Sequence, residues 1–361
     1  MFSLKDKTLA KDIVSKIKKL DVNLKFMHVC GTHQDTLVKH GLDTLLKECG
    51  IEIGQGPGCP VCVTTPREIE EMLLLAKNGK IVASFGDMIN VPGEKQSLQS
   101  MKTEGYDVRT VYGIEDAVKI AKENKYKDVV FMAVGFETTA PTTASVLLRN
   151  PPSNFSILCC HRTIPSALKA IIEMGEIKID GLIEPGHVST IIGTKPYGFL
   201  SKDYNVPQVV AGFEPIDILM AVWMLLQQIV HKEAYVQNEY TRVVNNDGNI
   251  KAKKAISEVF KPGDIKWRGF PVINGSSLEL RSKFKRYDAR EKYKDDLNIL
   301  KDKKFLEPEG CRCGELLRGL IYPSDCPLFG QACTPSTPVG PCMVSIEGSC
   351  NIEYRYSKKI N

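Results

Sequence analysis

Long apolar runs are missing from this 361-residue chain. No stretch approaches the roughly 18 apolar residues that a membrane-spanning helix needs, so no membrane partner is expected. Charge of one sign is also scarce. Lys and Arg number 48 against 43 Asp and Glu, a net of +5. The basic residues form no stripe and the few aromatics do not interleave with them, which counts against nucleic-acid binding. The N-terminal residues Met1-Phe2-Ser3-Leu4-Lys5-Asp6-Lys7 lack the apolar core of a signal peptide. A cytoplasmic location is therefore expected, where stable disulfides are rare and thiols bind metals or do redox work.

Thiols are what the chain has in excess. Of its 12 cysteines, six lie between Cys311 and Cys350, a density beyond what packing requires. Their spacing is C-x-C-x12-C-x6-C-x8-C-x7-C. It matches neither the paired knuckles of a zinc ribbon nor the compact ferredoxin run. Four thiolates on Pro- and Gly-rich loops suit a [4Fe-4S] cluster. Structural zinc and disulfides remain alternatives, and spacing does not choose four ligands among six.

The rest of the chain alternates short apolar runs with helical patterns. Leu24 to Val29 leads into Cys30-Gly31-Thr32-His33, followed by a helix expected over 35–48. Ile51-Glu52-Ile53-Gly54 leads into Gly56-Pro57-Gly58-Cys59-Pro60-Val61-Cys62. Further runs end at Gly86-Asp87, at Gly135-Phe136-Glu137-Thr138-Thr139, at His161, at Glu184-Pro185-Gly186-His187 and at Gly212-Phe213-Glu214. The pattern implies an α/β fold with parallel sheets. Its layout is read as two α/β lobes, 1–125 and 126–245, and a Cys-rich C-terminal domain, 246–361. The tripeptide Gly-Phe-Glu after two separate strands hints at duplication. Residues 231–265 read as an exposed helix or linker.

Several strand-end loops carry chemistry, and strand ends are where α/β folds bind ligands. Cys59-x-x-Cys62 in front of a helix suits a redox dithiol or half of a metal site. His33, three residues after Cys30, could take the thiol proton or share a metal. Glu137, Thr138 and Thr139 could relay protons or simply start a helix. Asp87 is equally ambiguous. Cys159, Cys160 and His161 read mainly as core, since consecutive strand residues face opposite sides.

Together, Cys30-Gly31-Thr32-His33, Gly56 to Cys62, Gly135 to Thr139 and the ending Cys342-Met343-Val344-Ser345-Ile346-Glu347-Gly348-Ser349-Cys350 resemble the HypD family of hydrogenase maturation proteins. The motifs occur in the family's order and span the chain. The resemblance implies two related α/β domains and a third that carries a [4Fe-4S] cluster, with thiols arranged as in ferredoxin:thioredoxin reductase. It implies a redox-active scaffold rather than a conventional turnover enzyme. With the small partner HypC, such a scaffold builds the Fe(CN)2CO unit of [NiFe]-hydrogenase. Cyanide is delivered by HypE, which works with HypF.

Cys30 is then the expected iron-holding thiol. Cys59 and Cys62 are the redox pair between cluster and iron, and Glu137, Thr138 and Thr139 line the path. Cys313, Cys326, Cys333 and Cys342 are the leading cluster ligands. Cys350 is the nearest substitute and Cys311 the least favoured. One position departs from the family, whose first motif often carries a second histidine where this chain has Asp35. Two other classes compete. A cluster-linked disulfide reductase would use the same dithiol and cluster, and a zinc-stabilised interaction protein would use neither redox function.

Overall fold

The computed structural model describes residues 7–357. Eleven strands run through it: β1 Leu24–His28, β2 Ile51–Gln55, β3 Ile81–Ser84, β4 Val108–Thr110, β5 Val129–Gly135, β6 Phe155–His161, β7 Gly181–Pro185, β8 Gln208–Ala211, β9 Val236–Asn238, β10 Phe260–Lys266 and β11 Val272–Leu280. One sheet has the order β2-β1-β7-β8-β9 and a second the order β4-β3-β5-β6. Every pairing within both is parallel. The α/β class with parallel sheets is as the alternating pattern implied. Parallel strands buried on both faces read as continuous apolar runs, and β5 (Val-Val-Phe-Met-Ala-Val-Gly) is buried throughout.

The two sheets do not divide at residue 125. The chain lays down β1 and β2, leaves to build all of β3 to β6, and returns for β7 to β9. The second lobe is thus inserted into the first, and the expected boundary falls between β4 and β5 of a single sheet. Most strands of the two sheets are short apolar runs closing on a loop, and they look alike in sequence, so periodicity cannot say which sheet a strand joins.

Local signals account for the elements. Pro60, Pro66 and Pro215 open helices just after β2, after the dithiol loop and after β8. Proline at the first helical position costs no hydrogen bond. Thr65 strengthens one of these starts, its N–H and hydroxyl both donating to Glu68 Oε2 at 2.8 Å. The helix expected over 35–48 is two helices, Gly31–Lys39 and Leu42–Lys47. Gly41, at φ 64°, breaks them apart in a left-handed turn. The stretch read as an exposed linker holds β9, the helix Ile250–Val259 and β10, which pairs antiparallel with β11. This hairpin shields the β6 end of the second sheet, with Thr163 N–H donating to the Ser276 carbonyl at 3.0 Å.

A central core runs between the sheets, taking Met27, Val29, Leu182 and Val210 from the first and Val130, Met132, Val134 and Leu158 from the second. The Cys-rich segment does not form a core of its own, because Leu316, Leu317 and Met343 join this central one. Among the described residues, no helix is long and apolar enough to cross a membrane.

Candidate functional site

Cys30 ends the first strand-loop. It is extended and caps the helix Gly31–Lys39, with no side-chain cap bond. Its N–H donates to His28 Nδ1 at 3.4 Å, so His28 carries its proton on Nε2 and donates to Gln34 Oε1 at 2.7 Å. Burial pushes the Cys30 thiol up to about 11, against the pull of the His33 and Thr32 N–H groups, and the Glu347 carboxylate adds to the rise. The thiol is therefore protonated at neutral pH. Burial likewise lowers His28 to about 4.

His33 is fully buried and faces away from that role. Its Nε2 lies 2.9 Å from the Gly212 carbonyl and 3.3 Å from that of Ala211, and its ring lies against Phe213. Its Nδ1 is buried without a partner. Burial holds it neutral, at about 3. Among the described residues, no hydrogen bond joins this imidazole to the Cys30 thiol. His33 instead ties the Cys30 loop to the end of β8.

The dithiol loop packs directly on Cys30. A Cβ added at Gly58 would lie 2.2 Å from the Cys30 nitrogen, so only glycine permits the approach. Cys59 and Cys62 form a disulfide across the start of the helix Pro60–Val63. Both are fully buried. Cys62 N–H donates to Cys59 Sγ at 3.1 Å, and Cys62 Sγ lies 4.0 Å from the Pro341 carbonyl. Pro341 adjoins Cys342, so the dithiol touches the Cys-rich segment.

That segment encloses a small apolar cavity lined by Cys311, Cys313, Cys326, Cys333 and Cys350. Cys342 does not line it. It sits fully buried in the short helix Pro341–Val344, its thiol paired with that of Cys313. A Cβ at Gly340 would meet Cys311 Sγ at 2.6 Å and Cys313 Sγ at 2.8 Å, so these thiols crowd a bare backbone. Contact with Cys313 and burial raise the Cys311 thiol, and Cys342, lowered by its hydrogen bond with Cys313, is raised on balance by burial; the buried Arg268 pulls weakly the other way in both. Its N–H donates to the Val63 carbonyl at 2.9 Å and its Nε to that of Thr64 at 3.0 Å, joining the cavity to the dithiol helix. All the donors are soft, Arg312 lines the cavity with them and Arg268 lies close to Cys311, which fits an iron–sulfur group. Among the described residues, no three or more His, Cys, Asp or Glu side chains are already closed around a metal position.

Glu137 is buried. Its Oε1 accepts from Ile164 N–H at 3.0 Å, its Oε2 has no partner, and burial raises it to about 7. Thr138 is exposed and Thr139 half-buried, with Thr139 Oγ1 folded back against Gly135. Only Glu137 of the three faces the interior fully. Cys159 and Cys160 join different cores, as their alternation requires.

Three residues that sequence reasoning passed over belong here. His28 and Arg268 lie within a strand and a loop and carry no motif. Glu184, at the end of β7, is fully buried with both carboxylate oxygens unpaired, and burial pushes it well above the carboxylate range. Its signal was a charge inside an apolar run.

Parallel sheets whose strand ends carry a buried thiol and a disulfide, beside a cavity lined by further cysteines, make this a cysteine-rich α/β protein. A family model described as HypD, "Hydrogenase formation hypA family", matches residues 6–357. A putative hydrogenase expression/formation protein of Methanocaldococcus jannaschii is 49% identical over 99% of this chain and 100% of its own length. Proteins named hydrogenase maturation factor HypD from Escherichia coli and Cupriavidus necator are 42% and 41% identical. The alignments cover 93% and 92% of this chain and 90% and 89% of theirs. The chain belongs to the HypD family.

Proposed function

We propose that the protein serves [NiFe]-hydrogenase maturation as a scaffold, holding iron through Cys30 while the Fe(CN)2CO unit is built on it. A small HypC-like protein would share that iron, and a HypE-like protein, with HypF upstream, would bring cyanide. One observation carries the reading. Three thiol groups from separate parts of the chain lie beside one another, with Gly58 pressed on the Cys30 backbone and Cys62 against the carbonyl next to Cys342.

Each group has a task in this reading. Cys30 is kept protonated by burial, so binding soft ferrous iron displaces a proton and is favoured by rising pH. Cyanide and carbon monoxide favour low-valent iron, which a dry thiolate site protects. Reducing the Cys59–Cys62 disulfide takes two electrons and two protons and yields two thiols. Of the five thiols that line the cavity, Cys313, Cys326, Cys333 and Cys350 would hold a [4Fe-4S] cluster, with Cys311 as the alternative ligand, while Cys342 is not among its lining residues. A cluster there supplies single electrons. Glu137 holds a proton near neutral pH, which suits it to proton exchange in the interior.

The test is an infrared spectrum of the protein purified without oxygen, with its co-purifying partners, from a host that matures hydrogenase. Cyanide and carbonyl stretching bands are expected, and Cys30→Ala should abolish them while iron and acid-labile sulfide stay bound. Absence of the bands from an iron–sulfur-loaded protein with its small partner attached would favour a cluster-linked disulfide reductase. Zinc without iron would refute both.

A further inference from the structure

The loop between Cys342 and Cys350 lies over the Cys30 helix. A Cβ at Gly31 would sit 2.5 Å from the Glu347 carbonyl oxygen and 2.6 Å from the Glu347 Cβ, so the loop backbone rests directly on the residue after Cys30. Two clamps hold it. On one side Asp87 Oδ2, at the end of β3 in the second lobe, accepts from Ser345 Oγ at 3.0 Å and from Ile346 N–H at 3.2 Å. On the other side Arg355 Nη2 donates to the Ile346 carbonyl at 2.8 Å and to Asp35 Oδ1 at 3.2 Å. Tyr356 O–H donates to the same Asp35 oxygen at 3.1 Å. Asp35 lies on the helix that Cys30 caps, and Arg355 lies on the helix that begins with Ser349 and Cys350.

We infer that residues 345–348 are a cover over Cys30, and that Asp87, Asp35 and Arg355 are positioning residues that hold it shut. The materials of the clamps fit a cover that opens. The Arg355–Asp35 pair is partly solvent-exposed, and exposed ion pairs hold weakly. At the loop's tip the Ile346 side chain is 62% exposed, an apolar handle on the surface. The cover also spans two thiols of the Cys-rich segment, so its position is tied to theirs. Asp35 thereby has a structural task in this chain that needs no metal.

The inference borrows from the scaffold reading only the reason why Cys30 must be reached. Its test needs neither iron nor hydrogenase. The rate at which iodoacetamide alkylates Cys30 is followed by peptide mass spectrometry, across pH, in the intact anaerobic protein. Asp35→Asn, Arg355→Gln and Asp87→Asn are each expected to raise the rate about tenfold at every pH in the range where the protein stays folded. Asp35→Asn combined with Arg355→Gln should do no more than either alone, while adding Asp87→Asn should do more. Asp35→Glu should restore the slow rate. Faster alkylation in the two carboxylate variants with slower alkylation in Arg355→Gln would mean that these groups act only through charge on the thiol, and the cover would be refuted. Unchanged rates, or equal acceleration at the buried Cys160, would refute it as well. The infrared experiment decides the iron reading whatever this assay returns.

Discussion

The tripeptide Gly-Phe-Glu ends one strand in each lobe, and the two copies do different work. At the end of β5, Gly135 takes φ 149°, Phe136 stacks on Trp267, and Glu137 is buried with one oxygen unpaired. At the end of β8, Phe213 lies between His187 and His33. Glu214 sits in front of the helix Pro215–His231, its N–H donating to Asp217 at 3.1 Å. What the copies share is backbone. The Gly135 carbonyl faces His161 Nδ1 at 3.4 Å and the Gly212 carbonyl faces His33 Nε2 at 2.9 Å. A short match in sequence thus repeats the histidine tether but not the turn, and the surroundings set the fate of the charge.

The comparison breaks most visibly at the aromatic position. Phe136→Ala should cost about 3–4 kcal/mol, as for a buried, stacked ring, against about 1–2 kcal/mol for the half-buried Phe213→Ala, both by urea denaturation. Equal losses would mean that the two loops carry equal load. At the glycines, Gly135→Ala should cost about 3 kcal/mol, since its dihedral is strained for any side chain and the new Cβ would meet Thr139 at 2.4–2.5 Å. Gly212→Ala has no such dihedral and meets side-chain atoms of Asp217 and Arg242, so about 1–2 kcal/mol is expected.

The two glutamates give the most diagnostic contrast, because one of them depends on pH. Glu137 is raised from an ordinary 4.5 to about 7 by burial, so folding favours its protonated form. That preference is fully present below pH 4.5 and fades as pH rises to about 7. Glu137→Gln mimics the protonated acid. It should leave stability unchanged in acid and raise it by up to about 3 kcal/mol above pH 7, read as a denaturation midpoint that separates from wild type only on the alkaline side. Glu214→Gln should change stability by less than about 0.5 kcal/mol.

Much of the site was legible because strand ends announce themselves. Apolar runs closing on Gly, Pro and Cys mark Cys30, Cys59, Cys62 and Glu137, and all lie at such ends. Contacts between residues far apart in sequence were not legible. The commitment of His33 to Gly212, the meeting of Arg268 with the thiol cavity, and the pairing of Asp35 with Arg355 each depend on tertiary folding. The hairpin of β10 and β11 was hidden for a local reason. Pro262 and Gly263 lie inside β10 and its side chains are mostly polar, a composition that argues against a strand.

The insertion of one lobe in the other sets an order of events during synthesis. The second sheet is contiguous from Ile81 to His161 and has all its strands once residue 161 has emerged. The first sheet must wait, because β1 pairs with β7, which begins only at Gly181. A nascent chain therefore carries Cys30, Cys59 and Cys62 on an unfinished two-strand ribbon while the sheet beside it already has all four strands. Their burial is among the last things the ribosome makes possible, and the Cys-rich segment that covers them is made later still.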